Sequence, residues 1–390
     1  MSASESVPDT VPLTTLVREW GWIGLIGFGG PPAHIALFRA LCVEKREWLT
    51  AGEFEDGIAA TNLLPGPAST QLAIYCAWRL RGRVGAMVGG VCFILPGLII
   101  ILALSALFLS AHPPLWVVGA AAGAGAAVPA VALNAAFGLL PASWRRAGKE
   151  RSARVRWIVY LVAGGISAAT VGAFLVLVLI GCGIVEIVIR TGDKEEGRRG
   201  APGLLPLTVV PVVTGGVAAL SWVAFKVGAL SYGGGFVIIP LMQHDVVVIY
   251  HWMSGAQFLN AVALGQVTPG PVVLTVAVVG YAASGLWGGV LAAVVAFAPS
   301  FVFVVVGAGH FDRLRGDPHV QAFFAGAGSA VIGAIAGSAI PLGQELAHLW
   351  QLGLLALAAV WLLALRRGVV LALVGAGAIG VIAVLAGAPS

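Results

Sequence analysis

Residues 28–75 read FGGPPAHIALFRALCVEKREWLTAGEFEDGIAATNLLPGPASTQLAIY, and residues 232–279 read YGGGFVIIPLMQHDVVVIYHWMSGAQFLNAVALGQVTPGPVVLTVAVV. The two stretches align without a gap at one offset of 204 residues (269 − 65). Gly29-Gly30 then meets Gly233-Gly234, Trp48 meets Trp252, and Pro65-Gly66-Pro67 meets Pro269-Gly270-Pro271. Matched glycine, tryptophan and proline at fixed spacing indicate a duplicated unit. We extend the repeat over residues 28–97 and 232–301.

The composition is that of a membrane protein. The chain has 390 residues, of which 59% are hydrophobic and 10% charged, and its mean hydropathy is +0.97. Soluble domains carry about 25% charged residues. Apolar stretches of roughly 20 residues, the length of a membrane-spanning helix, recur along the chain. We therefore predict an all-α integral membrane protein. Its helices should pack through small-residue pairs at Gly85–Gly89, Gly119–Gly123 and Gly333–Gly337.

Loop charge predicts the orientation of the helices, because basic loops stay in the cytoplasm. Loop 79–83 is strongly basic, whereas its counterpart 283–288 is uncharged; one loop later, 112–114 is neutral and 310–319 contains two arginines. Equivalent loops therefore lie on opposite faces, which predicts two inverted halves, as in many secondary transporters. The predicted organisation is a polar tail (1–12), a first membrane repeat (13–190), a cytoplasmic linker (191–203) and a second membrane repeat (204–390).

Each half contains an apolar segment that is broken by Pro-Gly-Pro, at 52–78 and at 256–282. Basic loops at 39–46 and 79–83 flank the first segment and should both be cytoplasmic. The segment would then enter and leave by one face, as a re-entrant hairpin with Pro-Gly-Pro at its tip. A kinked helix that crosses completely is the alternative. With the first apolar stretch (13–31) as a span, the hairpin topology gives five crossings per half, ten in all, with both termini outside.

The two tips are predicted anion sites. Proline is favoured in the first turn of a helix, so a helix would begin near Pro67 with free N–H groups and its positive dipole end at the tip. Pro271 would supply a second such end, and the pair suits a small oxyanion. Hydroxyl and amide side chains that could replace an anion's hydration flank both tips: Asn62, Ser69, Gln71, Gln266, Thr268 and Thr275. The alternative is that these groups only satisfy backbone freed at a kink.

Charged residues give further candidates. Lys226 lies well inside an apolar span, and we predict that it attracts the anion; snorkelling to the cytoplasmic surface is the alternative. Arg39, Lys45 and Arg46 either gather anions at the cytoplasmic entrance or serve only as topology signals. The acidic start of the first broken segment, at 53–56, is expected to cap or solvate a helix, with a role in carrying a coupling proton as the alternative.

Cofactor and metal motifs do not stand out. The four cysteines and seven histidines show no ligand spacing, and no phosphate-loop motif of the GxxxxGK[ST] type occurs. We therefore expect no metal, no cofactor and no catalytic residue.

At these positions the sequence resembles the chromate transporter family in its long form with two homologous halves. The matching motifs are FGGPPAHIALFR (28–39), LLPGPASTQLAIY (63–75), GALSYGGGFVIIPLMQ (228–243) and GQVTPGPVVLT (265–275). The resemblance implies a permeation site framed by Gly29, Gly30, Pro65, Gly66, Pro67, Gln266, Pro269, Gly270 and Pro271. Tyr232 stands where phenylalanine often precedes the glycines, and with Gly233 and Gly234 it completes the predicted substrate-binding set.

The resemblance also implies an activity. The family exports chromate from the cytoplasm, with sulfate as structural mimic, and it uses an ion gradient or the membrane potential. We thus expect a multi-pass transporter of the cytoplasmic (inner) membrane that confers chromate resistance. Transport of sulfate or another oxyanion, including uptake, is the alternative. The enzymatic alternative is a chromate reductase, which would need a flavin, haem or metal motif that the sequence does not show. The expected partners are chromate or sulfate and membrane lipid, with a homodimer left open and no nucleic acid.

Overall fold

The computed structural model describes residues 11–61, 64, 66–170, 174–192, 215–231, 236–307 and 317–389, and every regular element there is helical. The first half contains α1 (Leu13–Ile26), α2 (Pro31–Arg39), α3 (Ala51–Thr61), α4 (Ala68–Phe108), α5 (Leu115–Ala147), α6 (Arg151–Thr170) and α7 (Leu175–Gly192). The second half contains α8 (Gly216–Leu230), α9 (Ile238–Gln243), α10 (Gly255–Val267), α11 (Thr275–Gly307), α12 (Pro318–Gln344), α13 (Leu349–Ala359) and α14 (Val369–Leu385). The predicted linker 191–203 lies almost entirely outside the described residues.

The two halves repeat the same backbone irregularities. A π-helical turn extends α2 (Ala40–Lys45) and recurs after α9 (His244–Ile249). Long helix α4 is kinked at Arg81-Gly82, where Gly82 has φ 59°, and α11 is kinked in the same way at Ser284-Gly285, where Gly285 has φ 64°. The duplication predicted from the sequence is therefore a structural repeat.

The offset between the halves changes by one residue after the tips. The π turns are 204 residues apart (244 − 40), but the kinks are 203 apart (284 − 81). The gap-free extension of the repeat to residues 97 and 301 is thus wrong by one position. A 3₁₀ turn, Val272–Leu274, precedes α11. A 3₁₀ turn rises about 2.0 Å per residue, against about 1.5 Å in an α-helix. Three 3₁₀ residues therefore make up roughly the rise of the one residue that the second half lacks between its tip and its kink.

The first half begins with two hairpins, and the two arms of each start and end on the same face. In the first hairpin, Arg46 after α2 donates to Glu19 of α1 at 2.8 Å, so α2 runs back along α1. In the second, Arg79 near the kink of α4 forms an ion pair with Glu53 at the start of α3. The re-entrant hairpin predicted at 52–78 is therefore present, and the fully crossing kinked helix is excluded.

The first apolar stretch does not cross, contrary to the prediction for 13–31. Helix α1 has 14 residues and is about 21 Å long, which is short of the roughly 30 Å hydrocarbon core. The chain then turns back at Gly29 and Gly30, whose φ values of 97° and 74° are accessible to glycine without strain. The described chain thus starts on the face that carries loop 79–83, whereas the prediction placed both termini on the other face. Periodicity alone does not separate a short span from one arm of a hairpin.

Helices of two lengths make up the apolar part of the described structure. In the described ranges, four helices are long and apolar enough to cross a membrane, namely α4, α5, α12 and α11 together with its 3₁₀ turn. Helices α6, α7, α13 and α14 pack alongside α5 and α12.

The direction in which the helices run places the arginines on one face of the molecule. The second part of α4 leaves the basic face at the kink and ends at Phe108, and α5 returns to Arg145 and Arg146. The start of α10 lies on the far face, because Gln257 lines one cavity together with Phe108. The two halves are therefore inverted. The face with the arginines is the cytoplasmic face by the positive-inside rule.

Small residues allow the helices of the two halves to pack closely against each other. Helices α6 and α7 of the first half pack on α12, and α13 and α14 of the second half pack on α5. At the crossings, a Cβ on Gly333 would overlap the Leu161 carbonyl, and one on Gly123 would overlap the Ala376 carbonyl. The predicted pairs Gly119–Gly123 and Gly333–Gly337 both lie at these contacts, whereas Gly85–Gly89 packs against Ala77 inside α4. Close backbone approach thus holds the molecule together, as membrane helices require.

Candidate functional site

The tip of each re-entrant hairpin is a glycine with left-handed backbone, followed by a helix start. Gly66 has φ 124° and Gly270 has φ 96°. Pro67 precedes α4, and Pro271 precedes the 3₁₀ turn of α11, in each case without a side-chain hydrogen bond to the first turn. The first amides therefore point out of the helix end, where the partial positive charge lies. Of the predicted tip residues, Asn62 and Pro65 lie outside the described part of the chain.

A matched pair of hydrogen bonds ties each tip to the opposite half. The Gly66 N–H donates to the Ser231 carbonyl just after α8 at 3.1 Å, and the Gly270 N–H donates to the Gly27 carbonyl just after α1 at 2.9 Å. The two donors, Gly66 and Gly270, are equivalent positions of the repeat, and so are the two acceptors, Gly27 and Ser231. One amide of each tip is thus bonded to protein, so an anion would use the amides that follow it. The predicted Tyr232, Gly233 and Gly234 fall outside the described residues.

The Gly29-Gly30 turn of the first half lies against the tip of the second half. Gly30 faces the Val272 side chain, and the Nε2 of buried His34 lies 2.9 Å from the Gly27 carbonyl that also accepts from Gly270. On the other side of this tip, Gly97 of α4 packs directly on the Pro269 carbonyl. The glycine motif of one half and the Pro-Gly-Pro motif of the other therefore meet in one place.

The predicted polar side chains at the tips that the structure describes are buried but differ in what they bond. The Thr268 hydroxyl donates to the Leu264 carbonyl at 2.7 Å, and the Thr275 hydroxyl donates to the Val272 carbonyl at 2.8 Å. These two threonines therefore satisfy local backbone, which is the alternative stated for them. The other described members of the set are Ser69, Gln71 and Gln266.

Three further hydroxyls lie at the tips and were not predicted from the sequence. Thr70, Ser231 and Ser300 are buried, and none of their hydroxyl oxygens has a hydrogen-bond partner within the described residues. Ser300 comes from α11 of the other half, and its Oγ lies 3.1 Å from the position a Cβ on Gly66 would take. Buried hydroxyls without partners are costly, and such groups are available to a ligand. Of the three, only Thr70 stands beside a Pro-Gly-Pro motif in the sequence.

A cavity of about 870 Å³ leads to the first tip. Gly29, Thr61 and Gly66 line it at the tips, whereas Arg146 and Arg190 line it at the cytoplasmic face. A second cavity, of about 320 Å³, lies on the opposite face, and its described lining includes no tip residue. The first tip is therefore accessible from the arginine-rich face.

The predicted entrance cations lie on the cytoplasmic face but not among the described residues of the cavity wall. Arg46 is paired with Glu19, Arg39 lies 3.6 Å from Glu55, and Lys45 is exposed. Exposed pairs of this kind contribute little to stability. Their role at the entrance stays a prediction.

Lys226 forms a buried ion pair with Asp245 in the π turn after α9. Both side chains are 11% exposed, so a carboxylate holds the ammonium, which does not snorkel to the surface. Asp245 was not among the residues predicted from the sequence. A role for Lys226 in anion binding stays a prediction, and it now requires the anion to take the place of Asp245.

Two inverted halves, re-entrant tips that are each hydrogen-bonded to the opposite half and a cavity open to one face define an inverted-repeat membrane transporter. The profile of the chromate transporter family matches residues 14–187 and 218–381, and the chain belongs to that family.

Its relatives cover most of its length. The chromate transport protein of Cupriavidus metallidurans is 34% identical over 352 residues, which are 88% of this chain and 86% of the relative. The probable chromate transport protein of Synechococcus elongatus is 30% identical over 98% of this chain and 99% of its own. The chromate transport protein of Pseudomonas aeruginosa is 30% identical over 89% and 85%. No solved structure matches the chain.

Proposed function

We propose that the protein exports chromate across the cytoplasmic membrane, driven by an ion gradient or the membrane potential, and thereby confers chromate resistance. The observation that carries this proposal is the cavity that joins the arginine-rich face to the Gly66 tip. The names of the relatives support chromate as the transported anion.

The chemistry of the tips fits a small dianion. Two uncapped helix starts contribute partial positive charge, worth about 0.3–1 kcal/mol each for an anion at a helix N-terminus. The Thr70, Ser231 and Ser300 hydroxyls have no other partner in the described structure and can donate to oxyanion oxygens. Since the tip donors are neutral, the anion is held without a fixed counter-charge. Release on the far side therefore does not require a salt bridge to break.

The inverted halves supply a route to the far side. The second cavity lies where the repeat symmetry places a counterpart of the first, between α5, α10 and the end of α12. Rocking of the interlocked helices would close the large cavity and extend the small one to the Gly270 tip. The anion then leaves on the side away from the arginines.

Sulfate is the second candidate substrate. Chromate and sulfate have the same charge and tetrahedral shape, and the hydroxyl and amide donors at the tips reach only their oxygens. A site of this kind discriminates poorly between them. Uptake of sulfate or another oxyanion is therefore the function that the test must separate from chromate export.

The deciding experiment measures chromate flux into everted membrane vesicles, with and without excess sulfate and with the proton gradient collapsed. Empty-vector vesicles are the control. Uptake that sulfate reduces and that collapse abolishes supports proton-driven export. Absence of chromate uptake, together with sulfate flux in right-side-out vesicles, would overturn the export role.

A further inference from the structure

We propose a second anion subsite at the cytoplasmic end of the large cavity, formed by Arg156 and Arg190 around Glu186, with Arg146 on the same cavity wall. The carboxylate of Glu186 is paired with the guanidinium groups of Arg156 and Arg190 until an incoming oxyanion displaces the carboxylate. The proposal rests on the proposed function for the identity of the anion, a tetrahedral dianion.

Glu186 is held by donors on both of its oxygens. It lies on α7 and is 4% exposed. Its Oε2 accepts from Arg156 Nε at 2.9 Å and from the Tyr160 hydroxyl at 3.2 Å, and its Oε1 accepts from Arg190 Nε at 2.7 Å. The carboxylate therefore sits where two oxygens of a bound oxyanion would sit.

The charge of the cluster matches a dianion. Glu186 is the only acidic residue among the described residues of the cavity wall, which also carries Arg146 and Arg190. Arg156 and Arg190 both bond Glu186, so two guanidinium groups face one carboxylate. A dianion in the place of Glu186 would be neutralised by these two positive charges.

Guanidinium chemistry explains why arginine and not lysine serves here. The planar fork binds carboxylates and tetrahedral oxyanions through the same parallel N–H donors, and it is less strongly hydrated than an ammonium. An anion can therefore replace Glu186 without a change in donor geometry. When the anion moves on to the tip, Glu186 pairs with Arg156 and Arg190 again. The arginines therefore do not trap the anion.

The subsite and the Gly66 tip share one cavity. An anion that enters from the cytoplasm meets the arginines first and the neutral donors of the tip second. The subsite thus concentrates the dianion at the mouth, and the tip carries it across.

The test is calorimetric titration of the purified full-length protein with chromate and with sulfate. We expect Arg190→Gln to weaken the apparent affinity roughly tenfold, the size of one lost charge-assisted hydrogen bond. Glu186→Gln should strengthen it, because the internal competitor loses its charge. Arg190→Lys, which keeps the charge but loses the fork, should fall between the wild type and Arg190→Gln. The matched control is Arg154→Gln on α6, whose guanidinium lies 5.1 Å from the centre of the Trp144 ring and does not line the cavity.

Opposite signs for Glu186→Gln and Arg190→Gln support the subsite, since a purely structural ion pair would not raise affinity when it is broken. Equal weakening in both variants, or no change in either while the wild type still transports chromate, would overturn the subsite and leave the proposed function standing. A wild type that neither binds nor transports either anion would refute the proposed function, and the subsite with it.

Discussion

At the scale of single residues, Gly66 combines two demands that only glycine meets. Its φ of 124° is disfavoured for any side chain, and a Cβ there would collide with the Gln71 amide and approach Ser300 Oγ. The same residue donates the hydrogen bond to Ser231 that joins the halves. A backbone conformation that requires glycine and a contact between the halves therefore coincide at one position.

Gly66→Ala should lower thermal stability by about 1–3 kcal/mol, the usual cost of a strained backbone position, and should reduce chromate flux further than the loss of folded protein explains. Gly52→Ala is the control, because Gly52 lies in α3 with ordinary φ and with no heavy atom within 4 Å of the position a Cβ would take. Melting curves and vesicle flux measured on both variants check the prediction. Equal behaviour of the two would remove the special role of Gly66.

Ser300→Ala should weaken anion affinity about fivefold with almost no loss of stability, because removal of a buried hydroxyl without a partner exposes no new unsatisfied group. Ser105→Ala is the matched control, since the Ser105 hydroxyl already donates to the Ile101 carbonyl at 2.7 Å. Titration with chromate measures the affinity. A larger effect for the control than for Ser300→Ala would place the anion elsewhere.

Lys226→Ala should destabilise the protein by about 3–5 kcal/mol, because it leaves the Asp245 carboxylate buried without its partner. The double variant Lys226→Met, Asp245→Leu should recover most of this loss. Thermal unfolding in detergent checks both. If the recovered double variant has lost anion affinity, Lys226 contributes to binding as predicted from the sequence; if it binds normally, the pair is structural.

At the scale of elements, the hairpin arms and kinked helices follow from proline and glycine positions. The Pro-Gly-Pro motifs and the basic loops were sufficient to predict the re-entrant hairpin at 52–78. The turn at Gly29 and Gly30 is visible as a motif but resembles the end of a span, because α1 and α2 are each apolar enough to look like part of one. Recognising them as antiparallel arms requires the Arg46–Glu19 contact, which links residues 27 positions apart.

The buried partners of the predicted residues could not be predicted from the sequence for a related reason. Lys226 is conspicuous as a charge in an apolar helix, but Asp245 lies in a different element and no periodicity connects the two. Ser231 and Ser300 are single hydroxyls whose significance depends on which tip they meet. The tip motifs themselves, by contrast, were predictable because backbone chemistry at proline and glycine is local.

The inverted arrangement predicts that the two kinks lie on opposite sides of the membrane. Arg83→Cys and Ser284→Cys both place a thiol at an exposed position beside a kink. In intact cells, an impermeant maleimide should label the second variant and not the first. Of the native cysteines, Cys42, Cys76 and Cys182 are buried and Cys92 is partly buried, so the parent protein gives the background. Labelling of both thiols from one side would refute the inversion.

At the scale of the whole molecule, neither half has a complete packing surface of its own. Helices α6 and α7 cover α12, while α13 and α14 cover α5, so each half completes the other. Glycines such as Gly164, whose Cβ would overlap the Ala330 carbonyl, leave no room for a looser fit. The two halves therefore form one folding unit although they arose as repeats.

Chains 1–200 and 201–390 should each be degraded or aggregate when expressed alone, and should co-purify and restore chromate flux when expressed together. The interlocked contacts account for both results, since separation exposes the packing surfaces of α5 and α12. Affinity purification through a tag on one chain, followed by detection of the other, makes the measurement. Stable, separately folded halves would show that the contacts between them are dispensable.

The paired hydrogen bonds from Gly66 to Ser231 and from Gly270 to Gly27 also bear on ancestry. A contact that is identical when the two partners are exchanged is one that two copies of a single half could make with each other. Before gene fusion, that half would have inserted into the bilayer both ways up, and an antiparallel pair of identical chains would have formed the same central contact. Fusion would have fixed one copy in each direction and freed the two to diverge, so that Arg146 and Arg190 now lie in the first half and the Lys226–Asp245 pair in the second.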